Sequence, residues 1–213
     1  FVCVPTPAGD TAAMDESLSG LVAAKTTSLV VIRSTLTPDY VRDLPERFPG
    51  LRMVVHPEFL IERDAFNTAR RPVLQVFGGW DDDCQQLRNL YETWSIVSPQ
   101  WVVYCTPVEA SMIKLALNVF LSAKVAFSNE MYDVAARLDA DWESVAAVLQ
   151  LDPRVGKGHM QVPGPDGLRG FGGKCLPKDL AALALMAGRI GVAVPITESV
   201  MVANAVVRQP SGR

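Results

Sequence analysis

The sequence predicts an α/β protein, in which a largely parallel, doubly wound sheet is followed by an all-helical domain built on one long helix. Three observations carry this. Apolar, β-branched runs alternate with stretches of helical spacing through the first half. Those runs are apolar almost without a break, as strands covered on both faces are. The strand signals stop at about residue 107, and residues 108–137 then run without a glycine or proline. The expected domains are 1–106 and 107–213.

Taken in order, the strands are expected at 1–4 (FVCV), 28–32, 52–55, 73–77 and 101–105. Helices are expected at 14–25, 38–46 and 81–95, the last opening on Asp81, Asp82 and Asp83, which suit the positive end of a helix. The stretch 108–137 is apolar on nearly every face, so it needs burial on all sides. At about 1.5 Å per residue it is about 45 Å long, more than so small a domain encloses, and a homodimer interface along it is expected. Shorter helices follow at 141–150, 177–187 and 196–208, with a Gly- and Pro-rich loop at 152–173.

Composition excludes several function classes. With 49% hydrophobic and 20% charged residues, the 213-residue chain is of globular type. A net charge of −3 with no basic run leaves no footprint for nucleic acid. No uninterrupted apolar run reaches the roughly 18 residues of a membrane span; the best, 115–127 and 180–194, are shorter and carry Lys124 and Arg189. Four dispersed cysteines without CxxC, and two histidines, argue against a metal site or a disulfide scaffold and for reduced thiols in the cytoplasm. FVCVPTP has neither a methionine nor a basic leader, and reads as a strand of a longer chain rather than a signal peptide.

Cys175 is the sharpest chemical candidate. In GFGGKCLPKD it stands between a glycine-rich approach and a helix start marked by Pro177, with Lys174 and Lys178 close in sequence. The helix terminus and the lysines both favour thiolate, whereas Cys3, Cys84 and Cys105 read as core positions. Lys114 and Asn118, four apart on the long helix, project from one face within about 40° of each other. They make either an oxyanion-stabilising pair, or a lysine snorkelling to solvent beside an asparagine bonded to a neighbouring helix. Glu58 and Glu62, in HPEFLIER, follow the third strand as base and ligand clamp, or lie on a solvated helical turn. Thr35 ends the second strand at the same edge. Asp179 either holds a water or orients a lysine, or is a first-turn acid on the helix dipole.

Together and in this order, VPTP, IRST, PEFLIE, IKLALN, LDPRVG and GFGGKCLPKD resemble the landmarks of the UDP-glucose/GDP-mannose dehydrogenase family over residues 1–179. The resemblance implies a partial doubly wound, Rossmann-like sheet and the oxidation of the 6-hydroxymethyl group of a nucleotide-sugar to a carboxylate, with NAD as cofactor, through a cysteine-bound thioester; UDP-glucose to UDP-glucuronate is the expected reaction. It implies Cys175 as nucleophile, Lys114 and Asn118 on the oxyanion, Glu58 as base, and Thr35 and Asp179 holding water. Val4, Pro5, Thr6, Pro7, Ser34, Thr35, Glu62 and Lys178 would meet the dinucleotide. Glu58, Phe59, Leu60, Glu62, Lys114, Asn118, Phe171, Gly172 and Gly173 would meet the sugar nucleotide, as would Arg154, reaching across a dimer.

The departures are specific. The GxGxxG fingerprint and the ribose-binding acid that open such enzymes are not in the sequence, which reads as beginning at the fourth strand and stopping before a second α/β domain. Lys174 stands where a small hydroxyl residue is usual, His56 precedes PEF where asparagine or serine is common, and Arg169 belongs to a lengthened loop. Two other readings compete with the dehydrogenase: an inactive fragment or dimerisation module of the same family, and a cysteine hydrolase using Cys175, His159 and Asp179.

Overall fold

A computed structural model describes residues 1–208. The chain divides into two compact units, Phe1–Leu115 and Ala116–Arg213.

The first unit is layered α/β. Its elements are α1 (Ala12–Ala23), β1 (Val30–Ile32), α2 (Pro38–Arg47), β2 (Met53–Val55), α3 (Ala65–Arg70), β3 (Leu74–Gly78), α4 (Asp81–Trp94) and β4 (Trp101–Cys105). The sheet order is β1-β2-β3-β4. β1 pairs with β2 and β3 with β4 in parallel, while β2 and β3 meet antiparallel through the single pair Val55↔Gly78. One sheet face packs Ile32, Val55 and Val76 against Met14, Leu18, Val41 and Leu44 of α1 and α2. The other packs Val31, Val54 and Phe77 against Cys84 and Leu87 of α4. Both faces are thus covered at β1 to β3, as the apolar strands require, whereas the β4 edge leaves Trp101 and Tyr104 exposed.

Two expectations need correction here. Residues 1–4 form no strand: Val2 makes one parallel bridge to Ile32, because Pro5 and Pro7 lack the N–H groups that would extend the ladder. Cys3 is accordingly exposed rather than a core residue. The helix α3 was not legible because none of its side chains is buried, so it carries no apolar period.

A 31-residue helix, α5 (Pro107–Arg137), starts in the first unit and continues into the second. Thr106 and Glu109 form a reciprocal cap at its start: the Glu109 amide donates to Thr106 Oγ1 at 3.2 Å, and the Thr106 amide donates to Glu109 Oε2 at 2.8 Å. Its first turn lies so close to β3 that a Cβ on Gly78 would come within 2.5 Å of the Ala110 Cβ, so only glycine fits there. α5 is long and apolar enough to cross a membrane by length and composition, contrary to the reading by uninterrupted runs, since its mean hydropathy reaches 1.5 over 18 residues despite its lysines. Its buried Ser111, Lys114, Asn118, Ser122 and Ser128 all bond within the protein, which is how a core helix is built.

The second unit adds α6 (Trp142–Leu149), α7 (Leu176–Arg189) and α8 (Pro195–Val207). Asp141 caps α6 by accepting from the amides of Glu143 and Ser144. Gly191, at φ +71°, follows the end of α7, the left-handed position where glycine ends helices. One core joins Ala126 of α5 to Phe171, Leu180 and Val200; another joins Ala135 to Trp142, Ala146 and Met160.

Candidate functional site

Within the first unit, the predicted residues gather at the carboxyl ends of the parallel strands β1 and β2, where ligands of such sheets bind. The Val4–Pro7 segment runs along the end of β1: Ser34 Oγ donates to the Val4 carbonyl and Thr6 Oγ1 to the Thr35 carbonyl, each at 2.7 Å. Beside them, the His56 amide donates to the Ile32 carbonyl at 2.8 Å, which sets the HPEF segment next to β1. Ser111 of α5 donates to the Leu36 carbonyl at 2.5 Å and ties the helix to this edge.

One turn further along α5 is Lys114, 4% exposed, so it does not snorkel to water. Its Nζ donates to the Glu58 carbonyl at 2.6 Å and lies 3.6 Å from Glu58 Oε1 and 5.4 Å from the centre of the Phe59 ring. An ammonium has three donors, and the carbonyl takes one, which leaves donors for a ligand oxygen at a buried cation. Glu58 is half-buried on an irregular segment, not a helical turn, and its Oε2 accepts from the Leu60 amide at 2.6 Å. Leu60 is exposed. Glu62 opens a short 3₁₀ turn, Glu62–Asp64, but its side chain lies outside the described ones.

His56 anchors this segment. It is buried, stacks on Phe77 with centroids 4.7 Å apart, and meets the Val76 carbonyl through Nδ1 at 2.6 Å. A carbonyl only accepts, so Nδ1 carries the proton and Nε2 accepts from the Tyr91 hydroxyl at 3.1 Å. Burial, reinforced by nearby Arg33, pushes its pKa down to about 4, which keeps the ring neutral.

Within the second unit the centre is Asp179, fully buried in the first turn of α7. Asn118 Nδ2 donates to its Oδ2 at 2.5 Å and Lys178 Nζ to its Oδ1 at 2.6 Å. Asn118 therefore does bond a neighbouring helix, and its partner is a buried carboxylate. Cys175 stands immediately before α7, exposed, with its carbonyl accepting the Asp179 amide at 2.9 Å. Its backbone has helical dihedrals, φ −94° and ψ −59°, so the thiol sits at the positive end of a 14-residue helix. Phe171 is buried in the core with Leu180 and Val200, while Gly173 turns through φ +75°. Arg154 is exposed and forms a fork with Asp152. Asn129, Asn204 and Arg208, which grip the loop before Cys175, had no local signal, because their partners in it lie 33 to 42 residues away.

Comparison with known proteins gives this arrangement a family. Residues 108–206 match the central domain of the UDP-glucose/GDP-mannose dehydrogenase family. A UDP-glucose 6-dehydrogenase of Pseudomonas aeruginosa is 32% identical over 222 residues, covering 96% of this chain and 48% of that protein. A GDP-mannose 6-dehydrogenase of Azotobacter vinelandii is 31% identical over 83% of this chain and 41% of its own length. Among solved structures, a UDP-glucose dehydrogenase from Pyrobaculum islandicum superposes with a TM-score of 0.78 at 30% identity, over 95% of this chain and 48% of that one. The chain belongs to this family of nucleotide-sugar dehydrogenases. It spans less than half the length of these relatives. The matched central domain includes Lys114, Asn118, Arg154, Cys175 and Asp179; Thr35, Glu58 and the Val4–Pro7 segment precede it.

Proposed function

We propose that this chain supplies the cysteine-bearing part of an NAD-dependent nucleotide-sugar 6-dehydrogenase of the cytoplasm, oxidising UDP-glucose to UDP-glucuronate. The observation that carries the reading is an exposed thiol at the head of α7, four residues from a buried carboxylate held by Asn118 and Lys178, within the matched family domain. The C6 alcohol would first lose a hydride and a proton to give the aldehyde; Cys175 Sγ then adds to it, the thiohemiacetal gives up a second hydride to become a thioester, and water releases the carboxylate. Lys114 and Asn118 serve as the cation and amide for the C6 oxyanion. Glu58 takes the proton or activates water for hydrolysis, and Thr35 and Asp179 hold that water. Arg154, with Phe59, Leu60 and the backbone of 171–173, serves the sugar nucleotide.

Two nicotinamide dinucleotides, one after the other, would supply the hydride acceptors. The strand edge suits one half of each: Val4–Pro7, Ser34 and Thr35 present a short polar rim at the end of β1. The hydroxyls of Thr6 and Ser34 are spent on backbone carbonyls, so they brace the rim for such a ligand. The glycine-rich turn that would cradle the pyrophosphate has no counterpart among the 213 residues.

A homodimer through α5 belongs to the same reading. Phe120, Phe127 and Val134, seven residues apart, form an exposed apolar stripe on that helix. The mechanism is tested with Cys175→Ser in the complete protein: formation of reduced nicotinamide from UDP-glucose should stop short of carboxylate release, and undiminished turnover would exclude the thioester.

A further inference from the structure

The loop 164–173 leads into Cys175, and side chains from two helices grip its backbone. The Asn204 side-chain amide of α8 pairs with Phe171 as a strand would, its Oδ1 accepting the Phe171 amide at 2.7 Å and its Nδ2 donating to the Phe171 carbonyl at 3.0 Å. Arg208 Nη1 donates to the carbonyls of Arg169 and Gly170 at 3.1 and 3.3 Å, and its Nη2 to Asp166 at 2.5 Å. From α5, Asn129, 1% exposed, accepts the Gly170 amide through Oδ1 at 3.1 Å and also receives Arg169. Arg169 is in turn anchored on Asp133 at 2.8 Å.

The glycines of the loop follow from this grip. A Cβ on Gly170 would stand 2.4 Å from Asn204 Oδ1, and one on Gly172 would stand 2.2 Å from Arg208 Nη2. Gly170 also has φ +68°, a left-handed turn that brings its amide to Asn129 and passes Phe171 on to Asn204. Gly170 and Gly172 thus leave room for the clamp itself, independently of any ligand.

We propose that Asn204, supported by Arg208 and Asn129, is a positioning residue that clamps the backbone of 170–172 and thereby holds Cys175 at the head of α7. This rests on the reading of Cys175 as nucleophile. The clamp acts through the chain: Phe171, the residue Asn204 grips on both sides, is four residues from the thiol. The thiol's place at the positive end of α7 is set by the chain that enters the helix, and Cys175 depends on the loop for it. Cys175 is already exposed, so loosening the loop does not improve reagent access.

The test is the iodoacetamide alkylation rate of Cys175 in this chain, read by peptide mass spectrometry at neutral pH. Burial pushes Cys84 and Cys105 up to about 11, which keeps both out of the competition. Asn204→Ala should slow Cys175 roughly threefold or more. Leu149→Ala, which loosens the separate core around Trp142, should leave the rate unchanged. Equal rates in Asn204→Ala and the parent chain, or equal slowing in both variants, would overturn the clamp. If Asn204→Ala does not fold, Asn204→Asp carries the test, since it keeps the acceptor for the Phe171 amide and loses the donor to its carbonyl. The readout needs no turnover: active Cys175→Ser protein would defeat the thioester reading and leave the alkylation result standing.

Discussion

Removing the carboxylate of Asp179 is the most informative single perturbation of the second unit. Asp179→Ala leaves the buried Asn118 amide without its acceptor, a loss of about 1–3 kcal/mol. It also deprives Lys178 of its partner at 2.6 Å. Breaking a fully buried pair costs about 3–5 kcal/mol, but the Lys178 side chain is 25% exposed and swings to water, so only part of that applies. The expected destabilisation is about 2–4 kcal/mol. Asp179→Asn keeps an oxygen for Asn118 and should cost about half as much. Urea unfolding followed by tryptophan emission suits the question. Trp142 is buried in the second unit, whereas Trp80, Trp94 and Trp101 are exposed and change little on unfolding. An Asp179→Ala chain within about 0.5 kcal/mol of the parent, or an Asn variant weaker than the Ala variant, would refute the claim that this carboxylate is the anchor of its cluster.

Two further outcomes follow from the structure. His56 is held neutral, its pKa pushed down to about 4, so the unfolded chain takes up a proton as pH falls through about 6.5 while the folded one does not. This contribution to stability is complete above about pH 6.5, declines toward about pH 4, and amounts to about 3 kcal/mol in all. A His56 imidazole that titrates near pH 6.5 by NMR would contradict its burial. On α5, Phe127→Glu places a charge in the exposed Phe120–Phe127–Val134 stripe and should convert dimer to monomer in sedimentation equilibrium; a parent chain monomeric at every concentration would remove the interface.

Much of this protein is local in origin, and that part the sequence determined by itself. The continuous apolar runs became β1 to β4, with both faces of β1 to β3 covered, the glycine-free stretch became α5, and Cys175 stands before a helix with proline in its first turn, because period, propensity and helix polarity act over a few residues. Family landmarks were legible for the same reason, as short strings such as GFGGKCLPKD. Only the tertiary structure decided what Lys114, Asn118 and Asp179 are bonded to, since an isolated lysine or asparagine on an apolar helix fits either solvent or a buried partner. The failures have the same origin. Residues 1–4 stopped at one bridge where Pro5 and Pro7 ended the ladder, and α3 formed with no buried face to announce it. The clamp on the loop before Cys175 joins residues 33 to 42 positions apart through side-chain-to-backbone hydrogen bonds and a salt bridge, contacts that leave no period in a sequence and exist only once the helices have packed.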